Sequence, residues 1–146
     1  MIGVAQFGIA LGALGVVLML IGLFPGVIGF APVEGIGMVQ FAGIVVGFAL
    51  LILGALMYVK YTFYEQRAAT LSQQIGVRLA LTGIVLAMMV GLADAFGYGS
   101  HPRTESADMF FGSLQAAGTL IGFMIASVGV TIYALTGSPP GQNNHS

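Results

Sequence analysis

The chain has 146 residues, of which 58% are hydrophobic and 6% are charged, and its formal net charge is -1. A soluble globular protein carries about 25% charged residues, so this composition excludes a water-soluble enzyme or binding module. The lack of a basic face excludes electrostatic binding to nucleic acid. Because the sequence contains no cysteine, disulfides, cysteine-ligated iron–sulfur clusters and thiol catalysis are excluded as well.

Four apolar stretches are long enough to cross a bilayer, which requires about 20 residues in helical form. They cover residues 2–23, 36–59, 75–95 and 110–135. The sequence therefore predicts an all-α integral membrane protein, an up-down four-helix bundle with short loops formed by residues 1–136. Residues 137–146 are rich in Pro, Gly and Asn and predict a flexible tail. One alternative for the first stretch is a segment that only dips into the membrane. Another is a cleaved signal peptide, which would require a basic segment before the apolar run, and no Lys or Arg precedes it.

The distribution of basic residues predicts the orientation. With four spans, the two termini and the second loop share one side of the membrane, and that side holds Lys60, Arg67 and Arg78. The other side holds only Arg103. Since Lys and Arg are retained in cytoplasmic loops, both termini are predicted to be cytoplasmic.

Small residues recur along one side of every predicted span. Because helices in lipid associate through close packing, such residues mark contact faces. The predicted helix-packing residues are Gly8, Gly12, Gly15, Gly22, Gly43, Gly47, Gly54, Gly83, Ala87, Gly91, Gly118, Gly122, Ala126 and Gly129. These faces either meet in the interior of the bundle or contact a different protein.

Glutamines mark the beginnings of the spans. Gln6, Gln40 and Gln74 are equally spaced, and Gln115 opens the fourth span in the sequence Gln-Ala-Ala-Gly. Duplication of an up-down hairpin produces such a pattern. The alternative is that glutamine is simply tolerated at the level of the lipid headgroups.

The predicted spans carry few groups capable of chemistry. Ionisable residues inside a membrane mark ion paths, proton relays or ligand sites, and the central two-thirds of all four spans contain none. An intramembrane histidine, which would ligate haem, is also missing. We therefore expect no catalytic residue, no metal site and no cofactor.

A few charged or polar residues at the span ends are candidates for contacts with a partner or ligand. They are Arg78, Asp94, His101, Arg103 and Glu105. The alternatives are a boundary anchor at Arg78, a hydrated helix end at Asp94 and capping of the fourth span by the third loop. The carboxylates and imidazole of that loop match no known metal-binding spacing.

These features predict a non-catalytic accessory or structural subunit of a larger integral membrane complex, of an energy-transducing (respiratory or photosynthetic) kind. Its expected partners are membrane lipid and other integral membrane subunits, in a hetero-complex rather than a homo-oligomer. One alternative is a small oligomeric transporter or channel, whose polar pathway would use Thr82, Thr119, Ser127 and Thr131. Another is a lipid-, quinone- or pigment-binding membrane protein.

Overall fold

The computed structural model describes residues 2–29, 37–93 and 113–138, and these segments contain helices and no strands. The helices are α1 (Ile2–Leu23), α2 (Met38–Phe63), α3 (Leu71–Leu92) and α4 (Ser113–Leu135), with a short 3-10 helix at Pro25–Ile28. The predicted all-α fold of four packed helices is confirmed. All four are long and apolar enough to span a membrane, which fits an integral membrane protein.

The turn between α2 and α3 is tighter than hydropathy predicts. α2 continues to Phe63, and α3 begins at Leu71, four residues before the predicted span. Thr70 caps α3: its Oγ1 accepts the Gln73 backbone N–H (3.2 Å), and Gln73 Oε1 accepts the Thr70 N–H (3.1 Å). This reciprocal capping satisfies two helix-end donors. The sequence contains its Thr-x-x-Gln signature, which a hydropathy profile does not detect.

The helices pack as two antiparallel hairpins. α1 packs along the length of α2 and α3 along the length of α4, while α2 provides most of the contact between the hairpins. At the centre of that contact, the rings of Phe48 and Phe123 stack with centroids 4.0 Å apart. Around it lie the buried side chains of Ile52, Ala80 and Ile84. The small-residue faces therefore meet in two pairs, one within each hairpin.

In the first hairpin the glycines allow the backbones of α1 and α2 to touch. A Cβ atom at Gly8 would lie 2.9 Å from the Gly54 carbonyl oxygen, and one at Gly15 would overlap the Gly47 carbonyl. A Cβ at Gly22 would lie 2.8 Å from the carbonyl oxygen of Gln40. The glycines of α1 are seven residues apart, a spacing that keeps them on one face of a left-handed helix pair. By contrast, a Cβ atom added at Gly12 or at Gly43 would meet its nearest neighbour at an ordinary packing distance (3.8 and 3.7 Å, respectively).

The second hairpin repeats this contact. A Cβ atom at Gly122 would lie 2.7 Å from the Gly83 carbonyl oxygen, and one at Gly129 would lie 2.5 Å from that of Gly76. Gly76 is a contact residue outside the predicted set, although it lies seven residues before Gly83. The remaining predicted residues, Ala87, Gly91, Gly118 and Ala126, are also at contacts: the two alanines are fully buried, Gly91 lies against the Phe41 ring and Gly118 against Val90.

The two hairpins are also similar in sequence when their helices are aligned. Residues 115–133 repeat residues 40–58 at seven of 19 positions, those of Gln40, Ala42, Gly43, Gly47, Phe48, Gly54 and Tyr58. Residues 74–86 repeat residues 6–18 at six of 13 positions, those of Gln6, Gly8, Leu11, Gly15, Val17 and Leu18. In this alignment Gly15 corresponds to Gly83, and Gly47 corresponds to Gly122. The closest backbone contact of one hairpin thus has its counterpart in the other, and the stacked pair Phe48 and Phe123 are themselves counterparts.

The stacked phenylalanines provide a test of how the hairpins are held together. We expect Phe48→Ala and Phe123→Ala to destabilise the protein non-additively, with a coupling free energy of about 0.5–1.5 kcal/mol from the ring pair. A double-mutant cycle measured by reversible unfolding in mixed micelles checks this value. Strictly additive effects would show that the two rings do not interact in the folded protein.

Candidate functional site

The polar residues of the described structure concentrate at one end of the molecule, where the α2–α3 loop meets the end of α4. The last carbonyls of a helix have no partner within the helix. Here side chains from residues 64–73 donate hydrogen bonds to two of them and to two carbonyls just beyond the end of α4. The pairs are Gln73 Nε2 to Tyr133 O (3.2 Å), Tyr64 Oη to Ala134 O (2.8 Å), Thr70 Oγ1 to Thr136 O (3.1 Å) and the Arg67 guanidinium to Ser138 O. We call residues 64–73 the capping segment, because it satisfies α4 in place of water.

Aromatic packing and positive charge reinforce this contact. The Tyr64 ring meets Tyr133 edge to face at 6.3 Å and lies against Gly137. Lys60 Nζ donates to the Arg67 carbonyl oxygen at 2.9 Å, which places a second cation at the end of the bundle. Cations are favourable near a helix C-terminus because of the helix dipole. The first residues of the predicted tail, Gly137 and Ser138, are thus held by the capping segment, while residues 139–146 lie outside the described structure.

The corresponding end of the first hairpin is open. Tyr58 is the counterpart of Tyr133, yet Tyr58 is 37% exposed and Tyr133 is 5% exposed. An open groove of about 750 Å³ lies beside Tyr58. Its lining includes Ala5, Gln6, Ile9, Tyr61 and Glu65. The capping segment therefore covers Tyr133, whereas its counterpart Tyr58 packs edge to face against the Phe63 ring (6.2 Å) and borders the groove with its exposed part.

The outer face of α1 continues from this groove. Gly3, Ala10 and Ala13 are exposed on it, next to Gln6. At 3.6 residues per turn, Ala10 lies about 200° around the helix from Gly8. This second set of small residues therefore points away from α2. Small residues on a lipid-facing surface allow close approach of another helix.

The residues predicted to contact a partner are mostly outside the described structure. Asp94, His101, Arg103 and Glu105 all lie in the segment 94–112, which it does not cover. Arg78 is exposed on the outer side of α3, and because α3 begins at Leu71 it lies two turns inside the helix.

The hydroxyls considered for a transport pathway are not brought together. Thr82, Ser127 and Thr131 are exposed on the outside of their helices. Each donates to the carbonyl four residues earlier in its own helix, at 2.8–2.9 Å. Such bonds satisfy a hydroxyl locally without a ligand. Only Thr119 faces the interior.

Two buried polar groups near the start of α4 were not identified from the sequence as a pair. Gln115 and Thr119 are each 5% exposed, and within the part of the chain that the structure describes, Gln115 Oε1 and Thr119 Oγ1 have no hydrogen-bond partner. Their spacing of four residues places both side chains on one face of the helix. This spacing is the sequence signal that could have revealed them.

Within the described residues, no group of three or more His, Asp or Glu side chains is arranged to hold a metal ion.

Comparison with protein-family models, with curated proteins and with solved structures finds no match to this chain.

Proposed function

We propose that this protein is a non-catalytic accessory subunit of a larger integral membrane complex, and that the first hairpin is its partner-binding half. The single observation that supports this most strongly is the difference between the counterpart tyrosines. In the second hairpin, polypeptide covers Tyr133 and supplies hydrogen bonds at the helix end. In the first hairpin, the counterpart residue Tyr58 lines an open groove. A segment of a partner subunit is the occupant that this arrangement favours.

The outer face of α1 supports the same proposal. Lipid tails solvate Leu or Val as well as they solvate Gly or Ala, so lipid alone gives no reason for a small-residue strip. A neighbouring helix does, because its backbone can approach closely and gain packing contacts. Gly3, Ala10 and Ala13 provide such a strip beside the amide of Gln6. A buried amide at a helix interface contributes roughly 0.6 kcal/mol through its hydrogen bond.

A cross-linking experiment in native membranes tests this function. Since the chain has no cysteine, a single Ala10→Cys substitution gives one attachment point for a short photo-cross-linker. We expect a discrete adduct with another integral membrane subunit, and mass spectrometry of that subunit tests whether the host complex is respiratory or photosynthetic. Met89→Cys, on the exposed side of α3, is the matched control and should give only lipid adducts.

A bulky substitution provides a second readout of the same face. We expect Ala10→Leu to reduce co-purification of the cross-linked subunit in mild detergent by at least tenfold, which corresponds to about 1.4 kcal/mol. The variant should keep the helicity and unfolding midpoint of the wild type, since Ala10 does not face α2. Purification of the wild-type chain alone, together with lipid-only adducts at position 10, would count against the proposal.

A lipid- or quinone-binding role is the second candidate. An apolar groove of about 320 Å³ on the outside of the second hairpin supports it, lined by Leu79, Ile121, Met124, Ile125 and Val128. Its dimensions and apolar walls suit an acyl or isoprenoid chain. Extraction of the purified protein with organic solvent should then yield a stoichiometric lipid or quinone, and Ile121→Ser should abolish its retention.

A further inference from the structure

We propose that Gln115 and Thr119 form a binding site for a hydroxyl-bearing ligand inside the membrane domain. Both residues are 95% buried, and neither Gln115 Oε1 nor Thr119 Oγ1 has a hydrogen-bond partner among the described residues. Burial of an unpaired polar group is destabilising in proteins, because the group loses its hydrogen bonds to water and gains none in return. Because both atoms are buried inside the bundle, bulk water does not lower that cost. Two such groups one turn apart therefore indicate a ligand that satisfies both.

Other hydroxyls within the helices show a local hydrogen bond that Thr119 does not make. Thr82, Ser127 and Thr131 each donate to the carbonyl four residues earlier. The same bond would satisfy Thr119 by donation to the Gln115 carbonyl. Its hydroxyl instead stays unpaired in the interior, on the face that also carries the Gln115 amide.

The counterpart positions of the first hairpin show that the fold does not require this polar pair. Gln40, the counterpart of Gln115, caps its own helix by accepting the Gly37 N–H at 2.8 Å. The counterpart of Thr119 is Ile44, which is buried and apolar. One hairpin thus fills the two positions without an unpaired group, and the other keeps two acceptors available.

The donor and acceptor properties of the two side chains define the ligand. An amide Oε1 only accepts a hydrogen bond, whereas a threonine hydroxyl both accepts and donates. The ligand must donate to Gln115 and can donate to or accept from Thr119. A hydroxyl group meets both requirements. It can belong to a trapped water molecule or to a lipid with a free hydroxyl.

Substitution of Thr119 by valine separates an occupied site from an empty one, because the sign of the effect differs. In the full-length protein in nanodiscs, we expect Thr119→Val to lower the unfolding midpoint, since the ligand loses one of its two contacts. Gln115→Met should lower it too, and the double variant should add little to either. Thr131→Val, which removes a hydroxyl already bonded to its own helix, is the matched control and should leave the midpoint nearly unchanged. A rise in the midpoint on Thr119→Val would overturn the proposal, because it would show relief of an empty, unpaired group.

Two measurements on the wild-type protein identify the source of the hydroxyl and need no variant to fold. Magnetisation transfer from water to the Gln115 side-chain amide in solid-state NMR indicates a trapped water molecule. Retention of one hydroxyl-bearing lipid in native mass spectrometry, lost in Thr119→Val, indicates the lipid. If neither signal appears and Thr119→Val behaves as Thr131→Val does, the site does not exist.

Discussion

Replacement of Gly15 by alanine is expected to weaken the first hairpin, although alanine normally favours a helix. In an ordinary helical position this change gains up to about 1 kcal/mol of helix propensity. At Gly15 the new Cβ would lie 2.6 Å from the Leu51 amide nitrogen and would overlap the Gly47 carbonyl. Because both are backbone atoms, the helices must separate, and overpacking of this kind costs about 1–3 kcal/mol. We therefore expect a net loss in the free energy of unfolding, measured by reversible SDS titration in mixed micelles.

Gly12→Ala is the matched control for this prediction. It makes the same change three residues earlier in the same helix, but its Cβ would lie 3.8 Å from the flexible Leu51 Cδ1. This variant should be as stable as the wild type or slightly more stable. Gly83→Ala, the counterpart of Gly15→Ala in the second hairpin, should be destabilising for the same reason. Equal effects of Gly12→Ala and Gly15→Ala would refute the close backbone contact.

Loss of the Tyr64 side chain is expected to release the end of α4 from the capping segment. Tyr64→Ala removes the ring that covers Tyr133 and Gly137 and the hydroxyl bonded to Ala134. Truncation of a buried aromatic residue costs about 3–5 kcal/mol, and half-buried Tyr64 should cost about 2–3 kcal/mol. Hydrogen exchange of the amides of residues 132–138 should rise with it, because the end of α4 loses an anchoring contact and opens more often. Unfolding midpoints and exchange rates measure the two effects.

Tyr64→Phe separates the ring from the hydroxyl. It keeps the edge-to-face packing and removes only one hydrogen bond, so it should cost about 0.5–1.5 kcal/mol. Tyr61→Ala controls for the loss of an aromatic residue at the same membrane level, because Tyr61 lies on the exposed side of α2. It should leave exchange at the end of α4 unchanged. Faster exchange in Tyr61→Ala equal to that in Tyr64→Ala would contradict a specific role for Tyr64.

Hydropathy located the four helices because each span must be apolar over its whole length, and that requirement is local. The predicted end of α2 and the predicted start of α3 were less accurate. Hydrogen bonds of Thr70 and Gln73 define the start of α3, and hydropathy does not detect them. The spacing of Gly8, Gly15 and Gly22 indicated a contact face, because residues seven apart lie on the same side of a helix. It did not indicate which helix lies opposite.

The contacts that define the candidate sites join residues far apart in the chain. Tyr64 and Ala134 are 70 residues apart, and nothing in the local sequence of either predicts their hydrogen bond. From the sequence alone, Gln115 and Thr119 are only one amide and one hydroxyl near the end of a span. Their lack of partners becomes visible only when the neighbouring side chains are in place.

The amino-acid sequence by itself determined that this protein has four apolar helices, each with one face of small residues and few charges. These are properties of single segments, and the low dielectric of the bilayer imposes them on each segment separately. The tertiary structure decided that the helices pair as two similar hairpins, and that the capping segment covers Tyr133 while its counterpart Tyr58 is 37% exposed. That choice depends on how surfaces from distant segments fit together, because in lipid the packing of those surfaces, more than their hydrophobicity, provides the free energy of association.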